Sequence, residues 1–207
     1  MLNLGDTFPN ANLPSNLGDI DLYSYFGDGW GIVFSHPKDF TPVCTTEISR
    51  MAQLHKEFDA RGVKTVCISV DSAEDHIEWV KDVAHYSGCK VPFPLLADVG
   101  GKFSQSIGML DANADNTLTV RAVFVIAPDR KVRAIISYPA STGRNFDEIL
   151  RLIDSLQLTE KNKNIVTPVD WKGGDVLVKP GCEAPSTAKV VELPSGKDYM
   201  KFVKIDA

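Results

Sequence analysis

"PKDFTPVCTTE" (residues 37–47) is the stretch that decides the fold, because it joins a predicted strand to a predicted helix. The apolar run "WGIVFS" (30–35) before it predicts a buried strand. Cys44 then falls in the first turn of the helix that follows. A structural cysteine usually has apolar neighbours, whereas Cys44 is flanked by hydroxyls, a proline and a carboxylate. The sequence therefore raises the question of whether Cys44 is reactive.

Outward from this stretch, strand and helix patterns alternate. The order begins with the strand 30–35, a helix from Thr45 to Gly62 with Ile48, Met51, Leu54 and Phe58 inward, and a strand at 63–70. Next come a helix at 71–88 with Ile77, Val80 and Ala84 inward, the short strand "PFPLLAD" and a short helix around "GKFSQSIG". The last elements are a hairpin of "LTVRAVFVIA" and "KVRAIISYP" and the helix "NFDEILRLIDSLQL". This order predicts an α/β fold of the thioredoxin-like type, a central mixed β-sheet flanked by helices.

The composition of the sequence changes after Leu158, where polar residues, prolines and glycines replace the periodic strand and helix patterns. We expect residues 1–158 to form the thioredoxin-like domain and residues 159–207 to form a small C-terminal α+β extension. The apolar residues of the extension are too few to predict a core of its own. It is therefore expected to pack on a partner subunit.

Composition excludes several classes of protein. A formal net charge of −5 argues against nucleic acid or an anionic membrane as the main partner. The N-terminus has no secretory signal pattern, and no apolar run is long enough to cross a bilayer. Four widely spaced cysteines, without CxxC spacing, favour free thiols in a reducing compartment, which we take to be the cytoplasm.

A reactive thiol at position 44 needs a cation close by. A free thiol has a pKa near 8.5, and lowering it by about 2 units takes about 2.7 kcal/mol. A helix N-terminus supplies about 0.3–1 kcal/mol, or about 2 when partly buried. Lys38 and Arg50 are near Cys44 in the sequence, but we expect both to be exposed to solvent. Arg121, inside a predicted strand, is the better candidate, although a strand-end arginine that reaches solvent is the simpler interpretation of it.

Three further side chains near Cys44 also have ordinary explanations. Thr41 is placed to cap the helix, yet its hydroxyl can also donate to the sulfur or to an incoming oxygen. His36 ends the first strand and fits a satisfied core or rim histidine. Glu47 fits a carboxylate that complements the helix dipole.

The residues around Cys44 make the chain resemble the peroxiredoxin family. Pro37, Thr41 and Cys44 match its motif of proline, three residues, threonine, two residues and cysteine. The blocks "FSHPKDFTPVCTTE", "TGRNFDEILR", "VTPVDWKGGD" and "ELPSGKDYMKF" look like the one-cysteine subgroup, in order and over nearly the whole chain.

The resemblance implies a thiol-specific peroxidase that acts in antioxidant defence. Cys44 is then the peroxidatic nucleophile, which attacks hydrogen peroxide or an alkyl or lipid hydroperoxide and becomes sulfenic acid. Arg121 is expected to hold the thiolate, Thr41 to orient the peroxide and Pro37 to shield the sulfur. Supporting roles carry over to His36, Glu47 and Arg144, although Arg144 by itself reads as a surface residue. No metal or cofactor is expected.

The resemblance also bears on how the sulfenic acid is reduced. Two-cysteine relatives carry a resolving cysteine in a Val-Cys-Pro stretch, and here "VTPVDW" has Thr167 at that place. This predicts a one-cysteine cycle with an external thiol reductant, glutathione or similar, in a homodimer. Cys67 reads as an inert core thiol, and Cys182 is a weak alternative for resolution.

The sequence also bears on three other functions. A thiol–disulfide oxidoreductase needs a second cysteine near the helix start, where the sequence has Thr41. A redox sensor or holdase-like scaffold is not excluded as an added role. The phospholipase serine of some relatives corresponds to Gly29 and its histidine to Tyr23, so we expect no lipase activity.

Overall fold

The computed structural model describes residues 1–110 and 118–205. By its internal contacts the chain divides into two compact units, Met1–Phe146 and Asp147–Ala207. This division falls at the first residue of the last long helix (Phe146–Lys161), whereas the change in the sequence pattern after Leu158 falls near the end of that helix. The extension from residue 159 onward stays a prediction.

The first unit contains most of the regular structure. Its elements are β1 (Asn12–Leu13), β2 (Ile20–Asp21), α1 (Leu22–Phe26), β3 (Trp30–Ser35), α2 (Pro42–Gln53), α3 (His55–Ala60), β4 (Val63–Ser69), α4 (Ala73–Ser87), β5 (Leu95–Ala97), α5 (Lys102–Ile107), β6 (Arg121–Ile126) and β7 (Val132–Tyr138). The helix α6 (Phe146–Lys161) begins at the end of this unit.

Five of these strands form the predicted mixed sheet, in the order β5-β4-β3-β6-β7. The strands β3, β4 and β5 are parallel, and β6 runs antiparallel to both β3 and β7. The central strand β3 is buried almost along its whole length, as expected for a strand with neighbours on both sides. Since Phe34 pairs with Val123, the start of β6 lies beside the end of β3. This register brings Arg121 to the place where the chain enters α2.

One hydrophobic cluster lies against this sheet. Its fully buried members include Phe8, Leu22, Val33, Val66, Ile68, Leu96, Met109 and Phe124. Gly31 is needed in β3 for close packing, because a Cβ there would stand 2.8 Å from two ring atoms of Phe26. The strand that leads to Cys44 is therefore fixed by a close-packed core.

Two helices differ from the prediction. The single helix expected from Thr45 is two helices, because the backbone at Leu54 (φ −90°, ψ 3°) leaves the helical region between α2 and α3. The inward stripe of α4 was expected on Ile77, which is 44% exposed. The buried residues are His76, Trp79 and Val83, since the polar ring of His76 finds partners inside.

The second unit has its own small sheet, in the order β10-β11-β9-β8. Its strands are β8 (Ile165–Val166), β9 (Val176–Val178), β10 (Lys189–Val190) and β11 (Lys201–Val203). Val176, Val178 and Val203 form a hydrophobic cluster in this unit, which the sequence was expected to lack. Among the residues described, no helix is both long and apolar enough to cross a membrane.

Candidate active site

Cys44 lies where the sequence predicts it, in the first turn of α2. Thr41 precedes this helix with an extended backbone (φ −119°, ψ 148°), and Pro42 begins it. The first main-chain bond of the helix runs from the N–H of Thr45 to the carbonyl of Thr41. The N–H groups of Val43 and Cys44 therefore lie before the helical ladder begins, where they favour a negative charge. The side chain of Cys44 is fully buried.

Arg121 is the cation that the thiol needs. Its Nη1 donates to Cys44 Sγ at 3.4 Å and to Glu47 Oε2 at 2.9 Å. The other side of the guanidinium donates twice to the carbonyl of Ala140, at 3.0 and 2.6 Å. The residue is only 3% exposed, so the interpretation as a solvent-reaching arginine is wrong. A buried guanidinium held by four hydrogen bonds keeps a fixed position and stabilises negative charge on the sulfur.

Glu47 holds this arginine and a second one together. Arg144 donates to Glu47 through its main-chain N–H at 2.8 Å and through its side chain at 2.9 and 2.7 Å. The carboxylate is 3% exposed and lies one turn after Cys44, so it does not serve as a first-turn dipole partner. The buried position of Arg144 likewise contradicts its interpretation as a surface residue.

The electrostatics of Glu47 follow from these contacts. Burial acts to raise the pKa of Glu47, but hydrogen bonds and charge from Arg144, with the charge of Arg121, hold it below its ordinary value. The carboxylate is thus ionised beside two guanidinium groups. The formal charge of these three side chains is +1, and a thiolate at Cys44 brings the cluster to zero.

Thr41 and Pro37 lie in the loop that leads to α2. Thr41 occupies the N-cap position, but its hydroxyl makes no capping bond. It donates instead to the carbonyl of Lys38 at 2.9 Å, which leaves the oxygen lone pairs as acceptors. Pro37 is buried, whereas Lys38 is exposed, as expected.

His36 belongs to a separate buried network. Its Nε2 lies 2.6 Å from Asp39 Oδ1, and its Nδ1 lies 3.0 Å from the sulfur of Cys67. Burial lowers the pKa of His36, although Asp39 acts in the opposite direction. With Nε2–H donating to Asp39, Nδ1 accepts the S–H of Cys67. The structure thus agrees with the interpretation of His36 as a satisfied core histidine.

The other cysteines have different surroundings from Cys44. Cys67 is fully buried, and burial raises its pKa well above the ordinary value, in spite of the charge of Arg144. Cys89 and Cys182 are half-buried, and all four cysteines are free. Cys67 therefore has the character of an inert core thiol.

Sequence reasoning missed part of this arrangement. Asp39 and His76, buried with His36, were not identified, although "HPKD" places a carboxylate three residues after the histidine. The bridging role of Glu47 was also missed, because nothing local shows that Arg121 and Arg144 reach the same carboxylate. Only the position of Cys44 was readable from its own stretch.

Comparison with known proteins adds to this geometry. The sequence profile of the AhpC/TSA family matches residues 4–135. Peroxiredoxin-6 of Bos taurus is 48% identical over 215 residues, which cover 96% of each chain. A cysteine-to-serine mutant of the peroxiredoxin 6 of Arenicola marina superposes with a TM-score of 0.93 at 43% identity, over 99% of this chain and 98% of that one. A yeast mitochondrial 1-Cys peroxiredoxin gives 0.87 at 37% identity, over 99% and 100%.

Proposed function

This chain belongs to the AhpC/TSA family, the peroxiredoxins, which are thiol peroxidases, and we propose that Cys44 is its peroxidatic nucleophile. The observation that carries the proposal is the 3.4 Å contact between Arg121 Nη1 and Cys44 Sγ at the start of α2. The helix terminus and the guanidinium both act to stabilise a negative charge on the sulfur.

In the proposed reaction the Cys44 thiolate attacks one oxygen of a hydroperoxide. An S–O bond forms, the O–O bond breaks, and the leaving alkoxide or hydroxide takes up a proton and departs as alcohol or water. Arg121 stabilises the charge that develops on the peroxide oxygens. Cys44 is left as sulfenic acid.

The loop before α2 is proposed to orient the peroxide. The hydroxyl of Thr41 already donates to Lys38, so its oxygen is suited to accept the peroxide O–H. The main-chain N–H of Cys44, which lies before the helical ladder begins, is proposed to donate to the peroxide as well. Pro37 shields the sulfur from bulk water. Glu47 and Arg144 hold Arg121 in place, and His36 supports the loop from behind.

An external thiol is proposed to reduce the sulfenic acid. The thiol forms a mixed disulfide with Cys44 and releases water, and a second thiol then restores Cys44 and leaves as a disulfide. Thr167 corresponds to the resolving cysteine of two-cysteine relatives. Its hydroxyl shares a hydrogen bond of 2.7 Å with that of Ser155. The yeast neighbour is described as resolved by glutathione and thioredoxin systems. Glutathione or a similar thiol is therefore our candidate reductant.

Steady-state peroxide consumption tests this function. Purified protein with excess glutathione or thioredoxin is expected to consume hydrogen peroxide or an alkyl hydroperoxide over many turnovers, and Cys44→Ser is expected to consume none. The matched control Cys182→Ser should keep the activity, since Cys182 is not needed for a one-cysteine cycle. A single stoichiometric burst with every thiol reductant would favour a redox sensor and contradict the peroxidase.

We also propose a homodimer in the cytoplasm. Within residues 1–110 and 118–205, the edge strand β7 pairs with β6 and has no strand on its other side beyond Val132. Such an edge can pair with a second copy of the same strand. A reducing compartment fits four free cysteines.

A further inference from the structure

Asp39 is a buried carboxylate to which the proposed reaction gives no role. It is 2% exposed and lies in the loop between β3 and α2. Its two oxygens lie 2.6 Å from His36 Nε2 and 2.6 Å from His76 Nδ1. Its own main-chain N–H donates to Asp71 Oδ2 at 2.9 Å. One residue therefore ties this loop to the end of β3, to α4 and to the turn after β4.

The charge state of Asp39 suits this bracing role. Burial acts to raise the pKa of Asp39, but the hydrogen bonds from His36 and His76 hold it below its ordinary value. One ligand atom from each of His36, Asp39 and Asp71 lies within 4.8 Å of the other two, a spacing that a metal ion could use. Those atoms are already engaged in short hydrogen bonds, and we therefore interpret the cluster as a brace.

The residue after Asp39 has a strained backbone. Phe40 has a φ of 54°, a left-handed conformation that is uncommon for a bulky side chain and costs about 1–3 kcal/mol. Its ring is 55% exposed and approaches Trp79 at a centroid distance of 6.5 Å, so core packing does not hold it. Strain of this kind persists only where the neighbouring residues are fixed. Asp39 is the fixed neighbour on one side.

The strained turn sets the direction of the residues that follow. Thr41 comes directly after Phe40, and α2 begins one residue later with Cys44 in its first turn. We propose that Asp39 is a positioning residue for the peroxidase reaction, which holds the turn at Phe40 and thereby aims Thr41 at the peroxide. This inference rests on the proposed function. It assigns to Asp39, His36 and His76 a single mechanical task.

Two reactions of Cys44 separate positioning from stability. Attack on hydrogen peroxide needs the peroxide to be oriented, whereas alkylation by iodoacetamide needs only the sulfur. In Asp39→Asn the side chain loses its charge and keeps one oxygen, so only one histidine can still donate to it and the brace is weakened on the other side. We expect the single-turnover rate with peroxide to fall about tenfold or more, and the alkylation rate to change little.

A second substitution tests whether the effect passes through Phe40. Glycine adopts positive φ at no steric cost, so Phe40→Gly removes the strain that Asp39 is proposed to hold. The double variant Asp39→Asn/Phe40→Gly should recover most of the peroxide rate. Asp39→Asn/Phe40→Ala is the matched control, since it also removes the ring but keeps the strain, and it should not recover.

His76 gives an independent variant if Asp39→Asn does not fold. The amide of His76→Asn can replace Nδ1–H as the donor to Asp39, whereas His76→Leu cannot. We expect His76→Leu to lose peroxide rate selectively and His76→Asn to retain it. If the folded Asp39 and His76 variants react with peroxide as fast as wild type does, and are also alkylated as fast, this inference is overturned and the proposed function is not. If Cys44→Ser reacts with peroxide as fast as wild type does, the proposed function is overturned instead.

Discussion

At the scale of single residues, the site depends on the balance of charge around one sulfur. Arg121 and Arg144 share the carboxylate of Glu47, and the sulfur of Cys44 lies beside the first of them. Buried charges are tolerated only when paired and hydrogen-bonded. The two arginines exceed the one carboxylate by a unit charge, and this excess favours a negative charge on Cys44.

The substitution Arg121→Ala tests the catalytic share of the guanidinium. Removing one preorganised donor from a transition state lowers a rate by about 100-fold or more, and we expect this loss for the single-turnover reaction with peroxide. Arg121→Lys should lose less of the rate than Arg121→Ala, because it keeps the positive charge. It should still be slower than wild type, because a lysine cannot reach Cys44, Glu47 and Ala140 together. A rate in Arg121→Ala equal to that of wild type, in protein with an unchanged circular dichroism spectrum, would contradict the role.

The substitution Glu47→Gln tests the structural share of the carboxylate. It leaves two buried guanidinium groups without their common anion, and we expect the free energy of unfolding in urea to fall by about 3 kcal/mol or more. Glu148→Gln is the control, because Glu148 pairs with Arg151 at the surface, where an ion pair contributes about 1 kcal/mol or less. Similar losses in the two variants would contradict the account.

The same variant makes a prediction about pH. The pKa of Glu47 is lower in the folded protein than in the unfolded chain, so its contribution to stability is present above the unfolded value. This contribution is lost as pH falls through the folded pKa. The difference in unfolding free energy between wild type and Glu47→Gln should therefore be constant near neutrality and shrink below about pH 4.3. A difference that grows on acidification would have the wrong sign.

At the scale of elements, β3, the loop 36–41 and α2 act as one supporting piece. The buried strand fixes the start of the loop, and the register of β3 with β6 brings Arg121 to its end. Local patterns predicted each of these elements. They did not predict the break at Leu54 or the inward turn of His76, and the second of these depends on partners distant in sequence.

The substitution Gly31→Ala tests how rigid this support is. The new Cβ would stand 2.8 Å from ring atoms of Phe26, which is itself buried. We expect a loss of about 1–3 kcal/mol in the free energy of unfolding, typical of overpacking. Gly143→Ala is the control, since its Cβ would meet Val43 at an ordinary 3.5 Å. A fully stable Gly31→Ala would show that β3 adapts easily.

At the scale of the whole molecule, the sequence predicted the fold class and the position of Cys44 better than the surroundings of its side chain. A strand followed by a cysteine at a helix start is local, so Cys44 could be located from its own neighbours. Arg121 and Arg144 come from parts of the chain 74 and 97 residues away from Glu47. Their meeting depends on sheet register, which local patterns do not encode.

The oligomeric state is a prediction at this scale as well. The outer edge of β7, which no other strand of the described residues covers beyond Val132, and the family resemblance lead us to expect a homodimer in sedimentation velocity at micromolar concentration. The mass of a monomer under these conditions would contradict the proposal. The measurement is independent of activity, so it leaves the assignment of Cys44 untouched.

The central claim is that the sulfur of Cys44, held by Arg121 at the start of α2, is the atom that attacks the peroxide. A stopped-flow reaction of the reduced protein with one equivalent of hydrogen peroxide, followed by trapping of sulfenic acid and its location by mass spectrometry, tests it most directly. We predict sulfenic acid on Cys44 alone, formed orders of magnitude faster than on free cysteine. A rate no faster than that of free cysteine, or sulfenic acid on another cysteine, would contradict the account.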